Sequence, residues 1–553
     1  MKHKLAPLFT ALGVLVLIAV GIFGIMLAFK YLPSGEEADK QKLYKVQGEE
    51  TAILYNCELQ EAKGITRDGQ TYLPITWVNE TINERFYWDD TEKLLVYTLP
   101  DSIVYADKRT MGSTGAPLLL VEEEEVYLSL GLISNYTDVQ VTTFYGDGIN
   151  RAYVDDTWGN YTIADAKKDS KVRVKGGVKS PFITEIPKGS ELRVLEQMEE
   201  WSKVETYDGY VGYMQNKRLS NVREVPQIST FEAPVYTNIS MDEKVNLAFH
   251  QVMSEEANGA METLIANTKG VNVIAPTWFM LTDNEGNYHS FASQSYVEKA
   301  HGMGMQVWAV LDNFNRGENV NSGVLFAQTS VRKTLIANLM EEVLALGIDG
   351  INLDIEGIKP SAGPHYVQFI RELSIECRKK GIVLSVDNYA PSDYTAFYNR
   401  AEQGRVADYV IIMGYDEHYA GGEAGSVASL PYVKKGIEDT LEAVPKEKVI
   451  NAIPFYTRVW TEKDGKTTSS ALGIAAAKAW VEEKEVDLHW QEALGQYYGE
   501  LETEDGLKTV WMEEETSIGA KMELIREADL AGVACWKLGF EPAEIWDIVK
   551  VNE

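Results

Sequence analysis

The sequence predicts an α/β fold: a (β/α)8 TIM barrel over residues 243–549, preceded by two small β-rich domains and a transmembrane helix. Three patterns support this assignment. They are a charge-free apolar run near the N-terminus, short alternating segments in the middle, and a repeated strand-then-helix pattern from residue 243 onward. A doubly wound open sheet is the alternative for the last region, but it rarely needs eight strands at this spacing.

The first element is an apolar run, residues 5–29, which contains no charged residue and follows Lys2, His3 and Lys4. At about 1.5 Å per residue it is long enough to cross a hydrocarbon core of about 30 Å. A cleaved signal peptide would end in a small-residue site, and "GIMLAFKYLPSGEE" offers no convincing one. We therefore expect a single-pass cell-membrane anchor, residues 1–34, with an extracytoplasmic body. The charged residues 35–43 are expected to form a mobile linker.

The composition limits the partners. The formal net charge is −31, from 83 acidic and 52 basic residues. This charge argues against nucleic acid, which requires a basic surface, and against anionic lipid, whereas a weakly charged glycan is compatible with it. The three cysteines are widely spaced, so they indicate neither a disulfide scaffold nor a zinc site.

Residues 44–160 alternate apolar and polar positions in runs such as "TYLPITWVNETI" and "RFYWDDTEKLLVYTL", which predicts short strands and hairpins. This α+β segment resembles the copper amine oxidase N-terminal-like domain of bacterial surface proteins. The resemblance implies a spacer or a binding unit, and no set of copper ligands is visible in the sequence.

Residues 165–222 form a second β-rich unit with a "PKG" turn and the run "WSKVETYDGYVGYM". The run resembles bacterial SH3-like domains, in which "W.KV...G..GY" recurs. The resemblance implies binding of cell-wall peptide or glycan, and a rigid spacer remains an equal alternative. Residues 223–242 contain two prolines and are expected to be a linker.

Eight apolar strand candidates follow, with amphipathic segments such as "VRKTLIANLMEEVLALG" and "YVQFIRELSIECRKKG" between most of them. A long gap before the eighth strand holds "LHWQEALGQYYGEL" and "LKTVWMEE", which predicts a small α+β insertion over about residues 461–528. The strand candidates are "KVNLAFH", "VNVIAPTWF", "MQVWAVLD", "DGINLDIE", "IVLSVDNYA", "ADYVIIMGYD", "KVINAIPFY" and "GVACWKLGF".

The fourth strand candidate lies in "LGIDGINLDIEGI", an apolar run that carries acids. Side chains alternate along a strand, so Asn352, Asp354 and Glu356 share one face. Catalytic residues of a TIM barrel sit at the C-terminal strand ends, where acids and aromatic rings together suit a carbohydrate. The other candidates at strand ends are Asp387, Asn388, Tyr415, Asp416, Tyr456, Arg458 and Trp536.

No metal-binding motif accompanies these acids in the sequence. Gly350 and Leu353 break the spacing of a calcium loop, and the seven histidines form no HExxH motif, so we expect neither a metal nor a cofactor. His250 and His418 are expected to be hydrogen-bonded scaffold, and Met413 to be packing. Three tryptophans either line a glycan groove or belong to the core, and the sequence leaves both open for Trp278, Trp308 and Trp460.

Three motifs, in the expected order along the chain, resemble those of one known family. "DGINLDIE" resembles the DGxDxDxE signature of glycoside hydrolase family 18, the chitinase-like family, "MGYDEH" resembles its M-x-Y-D element, and "GVACWKLG" its last strand. "PFYTRVW" and "VWMEEETS" are similar to the spore-germination and cortex-lytic N-acetylglucosaminidase subgroup.

The resemblance implies substrate-assisted catalysis. Glu356 would be the general acid, Asp354 would orient the 2-acetamido group, and Tyr415 would bind the acetamide oxygen. Trp536 and Asp416 would contact the sugar, and Asn352, Asn388, Tyr456, Arg458 and Trp278 complete the expected substrate-binding set.

One residue departs from the family pattern, because Asn352 replaces the first acid of the DxD pair and an amide cannot take a proton. The substitution keeps a non-catalytic glycan-binding surface protein open as an alternative. A third possibility is a barrel that only carries the SH3-like unit. Peptidoglycan, chitin and other N-acetylglucosamine glycans all remain possible substrates.

Overall fold

The computed structural model describes residues 6–314 and 320–552, which form two compact units. The first unit comprises the chain up to residue 86 together with residues 106–233. The second comprises residues 87–105 and the chain from residue 234 onward. Each unit is described by itself.

The first helix, α1 (Ala6–Tyr31), has exposed apolar side chains such as Leu12, Phe23 and Phe29. By length and composition its part Thr10–Tyr31 could cross a membrane, and a signal sequence satisfies the same criteria. The chain therefore has one N-terminal apolar helix of the predicted kind. The predicted cytoplasmic tip before residue 6 lies outside the described residues.

The prediction of a mobile linker at residues 35–43 is wrong. Glu36 and Ala38 exchange backbone hydrogen bonds with Phe182, at 2.9 and 2.7 Å. A short helix, α2 (Lys40–Tyr44), follows and buries Tyr44. The charged composition resembled a linker, but the segment pairs with a strand far along the chain, which local sequence does not reveal.

The first β-rich domain is a seven-stranded mixed sheet in the order β7-β8-β3-β2-β1-β10-β9, with two short helices. Its alternating sequence buries residues such as Leu54 and Leu128 on one side. The helices are α3 (Ile75–Thr81) and α4 (Leu130–Tyr136). The strands up to residue 155 are β1 (Glu50–Tyr55), β2 (Glu58–Arg67), β3 (Gln70–Pro74), β4 (Tyr87–Asp89), β5 (Leu94–Thr98), β6 (Ile103–Ala106), β7 (Leu119–Glu122), β8 (Glu125–Ser129), β9 (Gln140–Gly146) and β10 (Ile149–Asp155).

The second β-rich domain is a separate seven-stranded sheet in the order β13-β12-β16-β15-β14-β11-β17. Its last strand runs to Gln227, which pairs with Gly159, so residues 223–227 of the predicted linker belong to this sheet. The strands are β11 (Gly159–Ala166), β12 (Ser170–Arg173), β13 (Phe182–Ile186), β14 (Glu191–Gln197), β15 (Trp201–Thr206), β16 (Val211–Gln215) and β17 (Leu219–Gln227).

The predicted TIM barrel is confirmed, and all eight strand candidates form barrel strands. Each pairs in parallel with its neighbours, and the ring closes where the last strand pairs with the first, Val245 beside Gly532. A small hairpin, β20 (Phe279–Leu281) with β21 (Tyr288–Ser290), follows the second strand. The barrel strands are β18 (Val245–His250), β19 (Val273–Pro276), β22 (Gln306–Asp312), β23 (Gly350–Asp354), β24 (Val383–Tyr389), β25 (Tyr409–Met413), β26 (Val449–Pro454) and β32 (Gly532–Trp536).

Helices cover the outside of the barrel, and their apolar sides bury side chains against the strands. Inside the barrel, Leu247, Val310, Ile411 and Ala534 belong to a smaller apolar cluster that closes the lumen. The helices are α5 (Met261–Ile265), α6 (Gln294–Gly302), α7 (Ser322–Ala327), α8 (Thr329–Leu346), α9 (Gly363–Lys380), α10 (Arg400–Val406), α11 (Leu430–Leu441) and α13 (Glu515–Glu527).

The predicted insertion before the eighth strand is present with different bounds. Helix α13 packs against the barrel, so the insertion ends with β31 and not at residue 528. It is a five-stranded antiparallel sheet in the order β28-β27-β31-β30-β29, with helix α12 (Ile474–Glu483). The strands are β27 (Tyr456–Lys463), β28 (Lys466–Gly473), β29 (Leu488–Gln491), β30 (Gln496–Thr503) and β31 (Gly506–Met512).

Residues 87–105 pack against the barrel helices instead of joining the first β-rich domain. The buried carboxylate of Asp89 accepts hydrogen bonds from the backbone and the hydroxyl of Thr329, both at 2.6 Å. Thr329 begins α8, which has no side-chain cap of its own. The β4–β5 turn therefore caps this helix, and the domain boundary predicted at residues 44–160 does not describe this segment.

Candidate active site

The site begins with three carboxyl groups on adjacent barrel strands. Asp354 pairs with Asp312 on β22, and the register Leu353–Val386 places Asp387 beside Asp354 on β24. Neighbouring strands lie about 4.8 Å apart, so the three groups form one short row. All three are buried, at 8% exposure or less.

Glu356 lies just past the end of β23 at the mouth of the barrel. Its backbone is held by Asn313, whose Nδ2 donates to the Glu356 carbonyl at 2.7 Å and whose Oδ1 accepts from the Glu356 N–H at 3.0 Å. The Tyr389 hydroxyl donates to the Glu356 carboxylate and also accepts from Gly357 N–H at 3.1 Å. The loop that carries Glu356 is thus fixed from two neighbouring strands.

A cavity of about 130 Å³ opens above these acids. It brings together five of the predicted site residues, because their strands all end at this mouth. Three aromatic or thioether side chains complete the wall. The lining residues are Phe314, Asp354, Glu356, Tyr389, Met413, Tyr415, Asp416 and Trp536.

The electrostatics favour protonated carboxyl groups. Burial raises the pKa of Asp354 well above its ordinary value, and the charges of Asp387 and Glu356 raise it further. Burial, followed by the charge of Asp416, raises the pKa of Glu356. Because the Asp354 and Glu356 carboxyl groups are within hydrogen-bonding reach, they titrate as a pair, and burial favours the protonated form of that pair.

On the other side of the cavity, Tyr415 lies half-buried and Asp416 exposed, directly after strand β25. Asp416 has a positive φ of 56°, which turns its side chain back toward the mouth. The Tyr456 hydroxyl donates to Asp416 Oδ1 at 2.5 Å. Tyr456 itself is buried, so it supports Asp416 from behind and does not line the cavity.

Asn352 is fully buried below the cavity floor. Its Nδ2 donates to Ser385 Oγ at 3.0 Å and to Asp387 Oδ1 at 2.9 Å, both on strand β24. Its Oδ1 has no hydrogen-bond partner among the described residues. The predicted substrate-binding residue therefore lies one layer beneath the surface that a sugar could reach.

Two predicted substrate contacts are wrong. Asn388 is 1% exposed and exchanges hydrogen bonds with the Gln403 side chain, because strand alternation turns it toward helix α10. Trp278 is fully buried, and its Nε1 donates to Asn258 at 2.8 Å. Trp308 and Trp460 are also fully buried, so all three tryptophans of the open alternative belong to the core.

Arg458 is half-buried in the insertion, two residues beyond Tyr456, and is not part of the cavity wall. One of its guanidinium N–H groups donates to Ser469 at 3.2 Å, between the first two strands of the insertion. The structure therefore assigns Arg458 a place behind the site, where it neighbours Tyr456.

The sequence predicts no site role for Asn313, Phe314 or Tyr389, and it predicts packing alone for Met413, which also lines the cavity. Phe314 and Tyr389 line the cavity. Phe314 lies two residues after Asp312 of β22, and Tyr389 lies two residues after Asp387 of β24. The inward row of β24 could have revealed Tyr389, because Ser385, Asp387 and Tyr389 share a parity. No sequence signal marks Asn313.

The expected scaffold roles of the histidines hold. His250 is buried, hydrogen-bonds Tyr296 at 2.9 Å, and has its pKa lowered by burial to about 4. His418 Nδ1 lies 2.8 Å from the Ser426 carbonyl. Among residues 6–314 and 320–552, no group of three or more His, Cys, Asp or Glu side chains is placed to hold a metal ion.

Comparison with known families gives two matches. The profile described as "Glycosyl hydrolases family 18" matches residues 210–541, and the profile "Bacterial SH3 domain" matches residues 168–220. The first match contains the barrel, the insertion and every residue of the cavity. The second covers strands β12 to β16 of the second β-rich domain and the first two residues of β17.

Individual proteins agree with these matches. "Uncharacterized glycosylase YvbX" of Bacillus subtilis (strain 168) is 28% identical over 51% of this chain and 84% of its own length. "Cortical fragment-lytic enzyme" of the same organism is 27% identical over 40% of this chain, and the chain spans 54% of that enzyme.

Solved structures support the fold. A chitinase from Chromobacterium violaceum ATCC 12472 superposes with a TM-score of 0.51 at 22% identity, covering 55% of this chain and 98% of that one. The Bacillus cereus spore cortex-lytic enzyme SleL gives a TM-score of 0.50 at 20% identity, covering 59% of this chain and 76% of that one. At these identities the likeness carries the fold alone.

Proposed function

Because this chain belongs to glycosyl hydrolases family 18, we propose that it cleaves β-1,4 bonds next to N-acetylglucosamine by a substrate-assisted, retaining mechanism. Membership in the family makes it a glycoside hydrolase of N-acetylglucosamine polymers. The bond that is cleaved, the mechanism, the roles of the residues and the identity of the polymer are what we propose beyond family membership.

The observation that carries the proposal is the cavity that Glu356, Asp354, Tyr415 and Trp536 share at the barrel mouth. Glu356, whose pKa is raised by burial, lies there beside a second carboxyl group and an aromatic wall. Glycoside cleavage requires such an acid to protonate the leaving oxygen.

The first step is proton transfer from Glu356 to the bridging oxygen, which breaks the glycosidic bond. The substrate's own 2-acetamido oxygen attacks the anomeric carbon and forms an oxazolinium ion, so the enzyme supplies no nucleophile. Glu356 then takes a proton from the water that opens this ion. Two displacements at the same carbon retain its configuration.

Asp354 and Tyr415 position the acetamide. The Asp354 carboxylate accepts the acetamide N–H and stabilises the positive charge that develops on the ring. The Tyr415 hydroxyl donates to the acetamide oxygen. Burial raises the pKa of Tyr415 well above its ordinary value, which keeps this hydroxyl protonated as a donor.

Trp536 and Asp416 bind the sugar itself. Trp536 ends the last barrel strand half-buried, with one face against Phe249 at 5.4 Å between ring centroids. Its exposed part forms the apolar floor under the reacting sugar. Asp416, held by Tyr456, accepts a sugar hydroxyl.

We place the enzyme on the cell wall of a bacterium, with peptidoglycan as its polymer. The relatives named for cortical fragment lysis favour this choice. The N-terminal apolar helix would be an uncleaved anchor that leaves the body outside the membrane. Residues 44–160, without the 87–105 segment, would be a copper amine oxidase N-terminal-like spacer.

The SH3 domain would bind the wall. A groove of about 510 Å³ is lined by Trp201, Lys171 and Glu185. Lys171 and Glu185 form an ion pair with each other at 2.8 Å, so the groove offers an aromatic ring and polar side chains to a wall peptide or glycan. This groove favours a binding role over a rigid spacer.

The test is product analysis with the full chain in detergent. Purified peptidoglycan and chitin oligomers are digested beside Glu356→Gln and beside Glu442→Gln, an exposed glutamate at the end of α11. We expect new N-acetylglucosamine reducing ends from the wild type and Glu442→Gln, and at least about a 10³-fold loss in Glu356→Gln.

One observation favours a second function, which is glycan binding without cleavage. Asn352 replaces an acid of the family signature, and a barrel that has lost turnover still binds glycan. If neither polymer releases products but both retain the protein on a column, the chain is a glycan-binding surface protein. Release from chitin oligomers alone would keep the enzyme and reject the wall as its substrate.

A further inference from the structure

Asp387 is a buried acid with no part in the proposed mechanism. It is 4% exposed and lies beside Asp354 on the neighbouring strand, in the row that also contains Asp312. Its Oδ1 accepts a hydrogen bond from Asn352 Nδ2 at 2.9 Å. Burying a carboxyl group costs free energy, so a position in the middle of a barrel needs a reason.

The reason lies in the chemistry of Asp354. If Asp354 is to accept the acetamide N–H and stabilise a cation, it must be ionised when the bond breaks. At rest it is buried between two other carboxyl groups, which favours its protonated form. The proton must therefore leave Asp354 for another base, and the amide at position 352 cannot accept it.

Resting on the proposed function, we propose that Asp387 is the positioning residue that exchanges a proton with Asp354, in place of an acid at position 352. The O–H bond of Asp354 breaks as an O–H bond forms on Asp387. The negative charge moves the other way, from Asp387 to Asp354. The step needs no other reactant, and it reverses when the product leaves.

Asn352 prepares Asp387 for this exchange. Its amide donates to Asp387, which stabilises the ionised form that can receive a proton. The atoms Asn352 Oδ1 and Asp354 Oδ1 are both buried without a hydrogen-bond partner among residues 6–314 and 320–552. Two bare acceptors in one buried cluster favour a proton held between the strands.

The surrounding charges agree with the pairing. Burial raises the pKa of Asp387 to about 8, so it accepts a proton readily near neutral pH. Among the charged neighbours of Asp354, Asp387 raises its pKa most, ahead of Glu356 and Asp312. The titratable groups near Asp387 are Asp354 on β23, Glu356 just past its end, Tyr415 after β25 and Tyr366 on α9, and Asp312 on β22 lies on the far side of Asp354.

The test compares three variants of the full chain on chitin oligomers and peptidoglycan: Asp387→Asn, Asn352→Asp, and the double exchange. Asp387→Asn keeps an amide–amide hydrogen bond to position 352, so the strand pair stays satisfied. We expect its kcat to fall at least about tenfold with KM within about twofold. The alkaline limb of its pH profile should move to lower pH, because one charge beside Asp354 and Glu356 is gone.

The double exchange moves the acid to position 352 and the amide to position 387, with the hydrogen bond reversed. We expect it to recover kcat to within about threefold of wild type, whereas loss of a merely structural contact would not be rescued. Thermal unfolding of each variant shows whether it is folded.

A folded Asp387→Asn with wild-type kcat and pH profile overturns the inference, and so does a folded double exchange no better than the single variant. In both cases the wild type still cleaves the polymer, so the proposed function stands. Absence of cleavage by the wild type would instead reject the proposed function.

Discussion

The side-chain amide of Asn313 binds the backbone of Glu356 on both sides, with its Nδ2 on the carbonyl at 2.7 Å and its Oδ1 on the N–H at 3.0 Å. Glu356 lies beyond the last residue of β23, where the sheet no longer holds the chain. One amide from the neighbouring strand therefore replaces two ladder hydrogen bonds, and it fixes the direction in which the acid points.

Replacing Asn313 with alanine tests this relationship. We expect Asn313→Ala to lower kcat at least about tenfold, because a misdirected acid loses its reach to the glycosidic oxygen. The free energy of unfolding should fall by about 1–3 kcal/mol for the lost hydrogen bonds. Steady-state kinetics and urea unfolding measure the two effects. An unchanged kcat in a folded variant would mean that the sheet alone orients Glu356.

The pH profile of kcat/KM should depend on Asp416. Burial and then the charge of Asp416 raise the pKa of Glu356, and the acid must be protonated to act. Asp416→Asn removes that charge, so the pKa of Glu356 falls and the alkaline limb of the profile moves to lower pH.

Tyr456→Phe is the matched control for Asp416. It removes the 2.5 Å hydrogen bond to Asp416 but leaves the charge in place. We expect its alkaline limb to stay within about 0.3 pH units of the wild type. Equal shifts in both variants would assign the effect to the hydrogen bond and contradict a charge effect.

Strand alternation explains how far the sequence predicts this site. Side-chain alternation places Asp354 and Glu356 on one face. The same alternation turns Asp387 toward the barrel interior and Asn388 toward the helices outside, so the prediction that Asn388 contacts substrate is wrong. Local pattern fixes which face a residue occupies. It does not predict how deep in the barrel an inward-facing residue lies, so the position of Asn352 below the cavity could not be predicted.

Long-range contacts escaped the sequence for a different reason. Residues 35–43 read as a linker by composition, yet they pair with Phe182 on another strand. Asp89 lies in the run "RFYWDDTEKLLVYTL", which the sequence assigns to the first β-rich domain, yet it caps a barrel helix. Such partners are set by the folded chain and leave no periodic mark in either segment.

The stability of the fold should fall as pH rises toward 8. The pKa of Asp387 is raised from 3.8 to about 8, so in the folded state the Asp354–Asp387 pair shares a proton that the unfolded state has released. Its stabilisation is complete below the unfolded pKa and is lost as pH rises through about 8, at up to about 1.4 kcal/mol per pH unit for one proton.

His250 titrates in the opposite sense, because its pKa is lowered to about 4, but its contribution is complete above its ordinary value of 6.5. Urea unfolding from about pH 6.5 to pH 8 therefore isolates the acids. We expect a shallower decline in Asp387→Asn than in the wild type. Parallel curves would show that Asp387 is ionised throughout this range.

The cap that Asp89 provides should stabilise the barrel unit. Its buried carboxylate accepts two hydrogen bonds of 2.6 Å from Thr329, the first residue of α8. Asp89→Ala leaves the buried Thr329 N–H unpaired and removes the acceptor of the Thr329 hydroxyl, which keeps only the hydrogen bond it receives from Arg332. We therefore expect the free energy of unfolding to fall by about 2–4 kcal/mol. The kcat of the remaining folded protein should stay unchanged, because the turn lies outside the cavity.

Its neighbour Asp90 supplies the matched control. The Asp90 side chain is 81% exposed and pairs only with nearby residues of its own turn, Lys93 at 2.5 Å and Trp88 at 3.2 Å. Asp90→Ala should therefore cost less than about 1 kcal/mol in urea unfolding. Equal losses in the two variants would mean that the turn folds independently of α8. A selective loss in Asp89→Ala would instead make residues 87–105 part of the barrel's own stability.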